Sequence, residues 1–257
     1  NVLIERLGKG GIEIKSVEDF SDNIFWPGRF KRSYVSKSKG EPFVMPSEAI
    51  MFLPKPKKYV ANYPDNVKID KNWLLITRSG SVGRVLISTD LLKDFVLSDD
   101  LIRVIPNNDN NFGYIYAYLN TWIGQAFLIK DQYGATVKHI EPHHVSAIPV
   151  PSVPKLEKVV DERIKKLQEL REEAQKLLLK AEDMIYSELS LPKIDEEDIK
   201  YYGSDKGRII KSFEIKFSEL DERLDASFHL PLMEIIKKNL TNSECNIVKI
   251  SDISEKI

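Results

Sequence analysis

The longest uninterrupted pattern in the chain follows Pro154, where no glycine or proline occurs before Pro192. Apolar residues recur there at alternating spacings of four and three, interrupted only by Arg163. This seam consists of Leu156, Val160, Leu167, Leu170, Ala174, Leu177, Ala181 and Met184. Such a repeat predicts a coiled-coil helix over 155–191, roughly 50 Å long at about 1.5 Å per residue. Because one helix cannot bury its own seam, we expect it to pair with another helix and to act as a spacer.

Residues 1–154 carry the short, mixed signals of a globular domain. Apolar, β-branched runs at 73–77 and 84–88 predict two strands around a glycine-containing turn, and 101–105 predicts another strand. Helical spacing extends over 114–129. The predicted apolar face of that helix holds Ile115, Tyr118, Leu119, Trp122, Ile123 and Phe127. We therefore predict an α+β fold, in which a globular mixed α/β domain is followed by the long coiled-coil helix.

Beyond the helix, residues 192–257 have a different pattern. An acidic run at 195–198 predicts a linker, and 212–217 is strand-like. Residues 250–257 match 17–24 in their apolar, Asp and Ser positions at a constant offset of 233. We therefore expect a second copy of the first domain to begin near the end of this chain.

Composition narrows the class of protein and its compartment. The chain has 257 residues, 42% of them hydrophobic and 30% charged, with a single Cys245. No apolar run is long enough for a transmembrane helix, and the first residues lack the pattern of a signal peptide. One cysteine excludes an internal disulfide framework and fits a reducing compartment. We therefore expect a cytoplasmic protein.

The sequence lacks the common motifs of catalysis and metal binding. The sequence contains no GxxxxGK[ST], GxGxxG, GxSxG or CxxC motif, and no Asn/Asp-Pro-Pro-aromatic tetrad of adenine methyltransferases. His139 and His143 have the spacing of a metal pair, but Pro142 opposes helical geometry between them and no Cys lies nearby. The expectation is a non-catalytic chain without a metal or cofactor of its own.

Positive charge in the first domain is clustered in loop-like segments. Residues 1–154 carry 19 Lys+Arg against 16 Asp+Glu, whereas 155–257 carry 19 against 23. Basic and polar donors accumulate around aromatics at 28–34 and 55–59, in the turn 78–84 and in 132–138. Such groups can hold phosphates and read base edges, although solvated loops would look similar. The candidate DNA-binding residues are Arg29, Lys31, Arg32, Lys55, Lys57, Lys58, Arg78, Ser79, Ser81, Arg84, Tyr133, Thr136 and Lys138.

Several stretches, in order, resemble the DNA specificity subunits of type I restriction-modification systems. They are GRFKRSYV at 28–35, LITRSGSVGR at 75–84, LSDDLIRVIP at 97–106, GYIYAYL at 113–119, YGATV at 133–137, IPVP at 148–151 and RLDA at 223–226. Together with the long helix they cover nearly the whole chain. The resemblance implies a target recognition domain over 1–154, a spacer helix over 155–191, and a linker with the start of a second recognition domain over 192–257.

The same resemblance implies partners. Such a subunit reads half of a split double-stranded DNA site with each recognition domain, and its two long helices pair antiparallel and set the gap. Methyltransferase subunits that use S-adenosylmethionine dock on it to methylate adenine, and a motor-nuclease subunit joins for restriction. With one helix here, the pairing partner is either a second spacer helix in the same chain or a second copy in a homodimer.

Two alternatives stay open from the sequence. The chain could be the specificity segment of a single-chain restriction-methylation enzyme whose catalytic domains lie upstream. From a different class, it could be a coiled-coil adaptor that binds no DNA. Salt-sensitive binding to duplex DNA in the assembled complex distinguishes the adaptor from the other two.

Overall fold

A computed structural model of the chain describes residues 2–107, 112–191, 193–194, 212–220, 223–241, 248 and 252. Two compact units are present, Asn1–Gln175 and Lys176–Ile257. The helices are α1 Val2–Lys9, α2 Pro46–Ala49, α3 Asp90–Lys93, α4 Phe112–Leu119, α5 Trp122–Lys130, α6 Pro142–Ser146, α7 Pro154–Glu188 and α8 Pro231–Thr241. The strands are β1 Glu13–Ser16, β2 Ser21–Phe25, β3 Ser33–Val35, β4 Glu41–Val44, β5 Lys58–Ala61, β6 Leu74–Thr77, β7 Val85–Ile87, β8 Val96–Leu97, β9 Leu101–Pro106 and β10 Pro149–Ser152. The predicted α+β class is confirmed.

The first unit is built on a four-stranded antiparallel sheet in the order β2-β9-β6-β7. All four residues of β6 are buried, which explains its run of apolar and β-branched residues without polar alternation. Side chains from β6, β7 and β9 pack with α4 and α5 in the main core. The strands predicted around the turn 78–83 therefore pair as expected, Leu74 opposite Ile87 and Ile76 opposite Val85.

A second four-stranded sheet has the order β3-β5-β4-β8. Its β3, β5 and β4 pair antiparallel, while β4 and β8 pair in parallel through Phe43 and Val96. Phe43, Val60, Val67 and Val96 form a small buried core behind it. The segments 28–34 and 55–59, which the sequence placed in loops, are irregular over 28–32 and 55–57 and enter β3 and β5 at their ends.

A two-stranded sheet joins the start and the end of the domain. β1 pairs antiparallel with β10, with Glu13 opposite Ser152 and Ser16 opposite Pro149. The tyrosine hydroxyls of α4 reinforce this junction, because Tyr114 and Tyr118 each donate to a carbonyl of β10 at 2.6 Å. Burial raises the pKa of Tyr118 to about 12, so it stays a hydrogen-bond donor. The chain then enters α7 within two residues of β10.

The helix expected over 114–129 is divided into α4 and α5. The Thr121 hydroxyl accepts a hydrogen bond from the Gly124 amide at 3.2 Å, which makes Thr121 the N-cap of a new helix. A Cβ on Gly124 would lie 2.6 Å from Leu119 Cα, so the two helices meet too closely for another residue there. Because of this break, Trp122 is 76% exposed and does not lie on the buried face predicted for it.

The long helix α7 is confirmed and ends at Glu188, three residues before the predicted end. Ser190 has a φ of 48°, and the Leu191 amide donates to the Tyr186 carbonyl at 2.9 Å, as expected where a helix ends. Much of the predicted seam is exposed, including Leu167 at 48% and Leu170 at 53%. The exposed members are Leu156, Leu167, Leu170, Leu177, Ala181 and Met184.

Two seam positions behave differently from the rest. Val160 packs against the main core of the first unit, and Ala174 is half-buried. The buried residues of α7 are polar: Asp161, Gln168, Glu172 and Gln175. The helix thus turns a mainly polar face toward the globular domain, with the apolar Val160 and Ile164 near its start and most of its apolar seam exposed. The sequence analysis did not predict this face.

The second unit is described over fewer residues. Residues 212–217 are not a strand, since only Ser212 makes a bridge and Phe217–Glu219 is a short 3-10 helix. Arg223 donates to Asp225 at 2.7 and 2.9 Å and lies over the ring of Phe228, which orders the RLDA segment before α8. The acidic run at 195–198 and all of the matching segment 250–257 except Asp252 lie outside the described residues. Among the described helices, none is both long and apolar enough to cross a membrane.

Candidate nucleic-acid interface

The second sheet brings two basic and aromatic segments onto one surface. β3 and β5 pair so that Tyr34 lies opposite Val60, and the ammonium of Lys58 lies 5.2 Å from the centre of the Tyr34 ring. Tyr34 is 50% exposed. The predicted cations exposed on these segments are Arg29, Lys31, Lys55, Lys57 and Lys58. A cation beside an exposed aromatic face can contact both phosphates and the faces of nucleotide bases.

Arg32 belongs to the same segment, but its guanidinium is bound by residues of the protein. Its guanidinium donates to Asp99 Oδ1 at 2.5 Å and lies 5.3 Å from the centre of the Phe43 ring. Asp99 is only 4% exposed. Burial opposes the charged guanidinium, but the hydrogen bond and charge of Asp99 outweigh it, so the pKa of Arg32 is raised. The pair fixes the position of a half-exposed cation at the edge of the surface.

The turn 78–84 contacts the segment 132–141. The Gly80 amide donates to the Lys138 carbonyl at 3.3 Å, and the Ile140 amide donates to the Arg78 carbonyl at 3.1 Å. Gly83 has a φ of 85°, and a Cβ there would lie 3.3 Å from Leu128 Cβ in α5. A glycine at this position therefore allows the turn to pack closely against α5. Together the two segments expose Ser81, Arg84, Tyr133, Thr136 and Lys138 from the predicted set.

Arg78 occupies a different position from the other predicted residues, since it is only 6% exposed. Its guanidinium donates to Glu141 Oε1 at 2.6 Å and lies 4.0 Å from the centre of the Trp26 ring. Glu141 also accepts a hydrogen bond from the Tyr133 hydroxyl. Burial raises the pKa of Glu141, but hydrogen bonds from Arg78 and Tyr133 outweigh it and lower the pKa overall. Arg78 is thus engaged by Glu141 and Trp26 within the protein, and its contact with DNA stays a prediction.

Ser79 is likewise engaged within the protein. Its hydroxyl donates to Asp100 Oδ1 at 2.9 Å and lies 2.8 Å from His139 Nδ1. The Asp100 carbonyl accepts from the Arg78 amide at 3.0 Å. Asp100 therefore ties the turn 78–84 to the start of β9, and His139 ties it to the segment 132–141.

The two halves of the surface meet at the turn Ser98-Asp99-Asp100. Asp99 holds Arg32 from the second sheet, and its neighbour Asp100 holds Ser79 from the first sheet. The turn is anchored from inside by Arg103, which is fully buried and donates to the Ser98 carbonyl at 3.1 Å. Burial lowers the pKa of Arg103 to about 10, so it remains charged at neutral pH. We call Asp99 and Asp100 the acidic hub.

The sequence analysis missed five supporting residues: Trp26, Asp99, Asp100, His139 and Glu141. The predicted DNA-binding residues are hydrogen-bond donors, so they include no aspartate or glutamate. One signal was available, since two adjacent acids between two apolar runs need cations nearby if they are to be buried. Among the described residues, no group of three or more His, Cys, Asp and Glu side chains is placed to hold a metal ion.

Comparison with known proteins gives one family. A family model, the type I restriction modification DNA specificity domain, matches residues 14–179, more than half of the 257 residues. No curated protein matches. Similar solved structures include a type I restriction-modification S subunit from M. genitalium, with 12% identity, a TM-score of 0.41, and coverage of 62% of this chain and 39% of that chain. The HsdS subunit from Thermoanaerobacter tengcongensis shows 14% identity, a TM-score of 0.44, and coverage of 66% and 40%.

A third similar chain comes from a study of complex assembly and conformational transition of the type I R-M system. It shows 15% identity and a TM-score of 0.42, with coverage of 72% of this chain and 50% of that chain. The present chain thus spans half or less of the length of each of these three structures.

Proposed function

Because the chain belongs to the type I restriction modification DNA specificity domain family, we propose that residues 1–154 read one half of a bipartite double-stranded DNA site. The observation that carries this proposal is the exposed basic and aromatic surface joined by the acidic hub. Lys58 lies beside Tyr34 on one side, and Arg84 and Lys138 are exposed on the other. In this proposal exposed lysines hold phosphates, while arginine and polar side chains read base edges.

The chain itself does no chemistry in this proposal. It directs adenine methylation and restriction by docking methyltransferase subunits, which bind S-adenosylmethionine, and a motor-nuclease subunit. A methyltransferase must flip its target adenine out of the duplex, so the recognition domain has to hold the DNA in a defined register. The buried partners of Arg32 and Arg78 support such pre-organised loops.

The exposed seam of α7 supports pairing with a second spacer helix, in the same polypeptide or in a second copy. Large apolar side chains such as Leu170, 53% exposed, and Leu177, 59% exposed, are stabilised when a partner helix covers them. The internal repeat supports a second recognition domain further along the natural protein. The offset of 233 places α1 over 235–242, and α8 occupies Pro231–Thr241.

Selection of duplexes from a random library tests the proposed function. The chain, in its full reading frame and assembled with its methyltransferase subunits, is incubated with duplexes at two salt concentrations. We expect enrichment of two short motifs separated by a fixed gap, with affinity that falls steeply with salt. A complex that assembles but enriches no sequence would contradict DNA recognition and favour the coiled-coil adaptor.

A further inference from the structure

The face of α7 that packs on the globular domain carries the apolar Val160 and Ile164 near its start, but all of its fully buried side chains are polar, which is unusual for a helix on a domain surface. Asp161, Gln168 and Gln175 recur at intervals of seven residues and are 3–4% exposed, and Glu172 beside them is 8% exposed. A surface helix normally buries an apolar stripe and exposes its polar residues. Here the apolar residues Leu167 and Leu170 are about half exposed instead. The attachment of α7 therefore combines apolar packing near its start with hydrogen bonds from buried polar side chains further along.

These side chains bond four parts of the domain, near Gly113, residues 88–90, Lys71 and Phe52. Asp161 Oδ1 accepts from the Gly113 amide at 2.8 Å, and Gln168 Nε2 donates to the Ser88 carbonyl at 3.2 Å. Glu172 Oε2 accepts from Lys71 Nζ at 2.7 Å and Oε1 from the Asp90 amide at 3.4 Å. Gln175 Nε2 donates to the Phe52 carbonyl at 2.6 Å. The contacts follow the helix from 161 to 175, roughly 20 Å at about 1.5 Å per residue.

Hydrogen bonds constrain a helix differently from apolar contacts. They are directional, so a roll about the axis or a slide along it breaks them, whereas apolar side chains tolerate small shifts. The helix does not fit tightly over its whole length: a cleft of about 290 Å³ lies beside it, lined by Lys71, Asn72, Phe112, Gln168 and Glu172 among others. The hydrogen bonds of Asp161 and Gln175 lie toward the two ends of the contact. They therefore fix the orientation of α7 on the domain where apolar packing beside the cleft does not.

One glycine sets the separation between α7 and α4. A Cβ on Gly113 would lie 2.8 Å from Asp161 Oδ1 and 2.9 Å from Ile164 Cβ, closer than side chains tolerate. The same residue supplies the amide that Asp161 accepts. Gly113 is thus the point of closest approach between the two helices.

We propose that Asp161, Gln168, Glu172 and Gln175, with Gly113, form a polar joint that fixes the angle of the spacer helix on the recognition domain and so sets the gap between half-sites. This inference rests on the proposed function. The helix extends about 40 Å from Asp161 to its end at Glu188, so a tilt of roughly 5° at the joint moves its far end by about 3.4 Å, one base-pair step. A ruler of that length measures one gap only if its attachment is rigid.

The first test measures, without DNA, how rigidly α7 is attached to the domain. In the full chain, with Cys245→Ser as background, nitroxide labels are placed by Ser38→Cys on the domain and Glu173→Cys on α7, both exposed positions. Gln168→Met and Gln175→Met together keep the side-chain volume but remove both amides. Double electron-electron resonance should show a distance distribution at least twice as broad as in the parent. An unchanged width in a folded variant overturns the joint.

The matched control carries Lys158→Met and Glu162→Met, two exposed positions on the same helix. It should leave the distribution unchanged, and equal broadening in this control would also overturn the joint. Circular dichroism verifies folding. If the double variant unfolds, the single variants Gln168→Met and Gln175→Met are measured in the same way.

The second test measures how strictly the complex selects the spacing between half-sites. The full-length subunit, assembled with its methyltransferase, is given duplexes whose half-sites are separated by the native gap or by one base pair more or less. The parent should prefer the native gap, and the preference should fall about tenfold in the Met variant with an unchanged half-site motif. A parent without bipartite methylation contradicts the proposed function, whereas a parent with it and a Met variant of equal gap preference overturns the joint alone.

Discussion

Arg78 and Glu141, 63 residues apart in the sequence, form a nearly buried ion pair at 2.6 Å that closes the base of two loops. The pair links the turn 78–84 to the segment 132–141, and Trp26 covers its guanidinium. The exposed residues of one half of the surface, Ser81, Arg84, Tyr133, Thr136 and Lys138, lie in these two segments. A pair of this kind stabilises the loops only while Glu141 is ionised.

The first prediction is that Glu141→Gln destabilises the fold in a pH-dependent manner. At pH 7 the loss should be about 1–3 kcal/mol, the range for a charge-assisted hydrogen bond. The pKa of Glu141 is lowered in the folded state, so its ionisation stabilises the fold above its usual pKa of 4.5. As pH falls below 4.5 toward the lower folded value, the stabilisation is lost and the difference between parent and variant should shrink.

Urea unfolding at pH 7.0 and at steps down to pH 3.5 measures this difference. Glu162→Gln, at an exposed position on α7, is the matched control and should show little effect at any pH. An equally large difference between parent and Glu141→Gln at every pH would contradict the ion pair as the source of stability.

The second prediction concerns Asp99 in the acidic hub. Asp99→Asn removes a negative charge near the proposed DNA surface, and charge alone would then strengthen DNA binding. We expect weaker binding instead, by about tenfold, because Arg32 loses the carboxylate that positions it at 2.5 Å. Fluorescence anisotropy with the assembled complex measures the affinity, with Asp94→Asn as an exposed control. Tighter binding by Asp99→Asn would refute the positioning role.

The third prediction separates phosphate contacts from base contacts. Lys57 is exposed and directly precedes Lys58, the first residue of β5, and we assign it to a phosphate. Lys57→Ala should weaken binding to all duplexes alike and reduce the slope of log affinity against log salt by about 0.9. Lys166→Ala on α7 is the control and should leave the slope unchanged. A shift of the preferred sequence in Lys57→Ala would overturn the phosphate assignment.

The fourth prediction concerns the exposed seam. Leu167→Lys with Leu170→Lys should abolish pairing of the spacer helix while leaving the globular domain folded, because both side chains are about half exposed in the first unit. Val159→Lys is the control, since Val159 is 47% exposed but lies outside the seam. Sedimentation of the isolated chain reports a homodimer, and limited proteolysis of the full-length subunit reports an intramolecular pair.

Equal mass and equal protease resistance for the Leu167→Lys, Leu170→Lys variant and the parent would contradict pairing through this seam. A loss in the Val159→Lys control as well would indicate a general effect of charge on the helix.

Local patterns predicted the elements well where neighbouring residues share one environment. The run 74–77 is buried throughout and reads as a strand from its residue types alone. The helix 114–129 was predicted as continuous because apolar spacing does not reveal the cap at Thr121, which depends on one hydroxyl. The apolar pattern correctly predicted helical residues but not the break between α4 and α5. Trp122 follows this break, so its predicted place on the apolar face was wrong.

The candidate site was predictable in its exposed members and not in their supports. Clusters of lysine and arginine are visible in sequence, whereas the partner of Arg32 lies 67 residues away at Asp99. No local pattern joins two such residues, because the contact exists only once β8 pairs with β4. The polar face of α7 could not be predicted for a related reason. Gln168 and Gln175 have the residue type of exposed helix positions, and their partners Ser88 and Phe52 are distant in sequence.

The most direct measurement of the central claim is a map of N6-methyladenine across the genome of a methylation-deficient host. The host expresses the full reading frame together with its methyltransferase subunits. We predict a two-part motif with a fixed gap, and exchange of residues 1–154 for those of another member of the family should change one half of that motif only. Unmethylated adenines throughout, in cells where the proteins co-purify, would contradict the account.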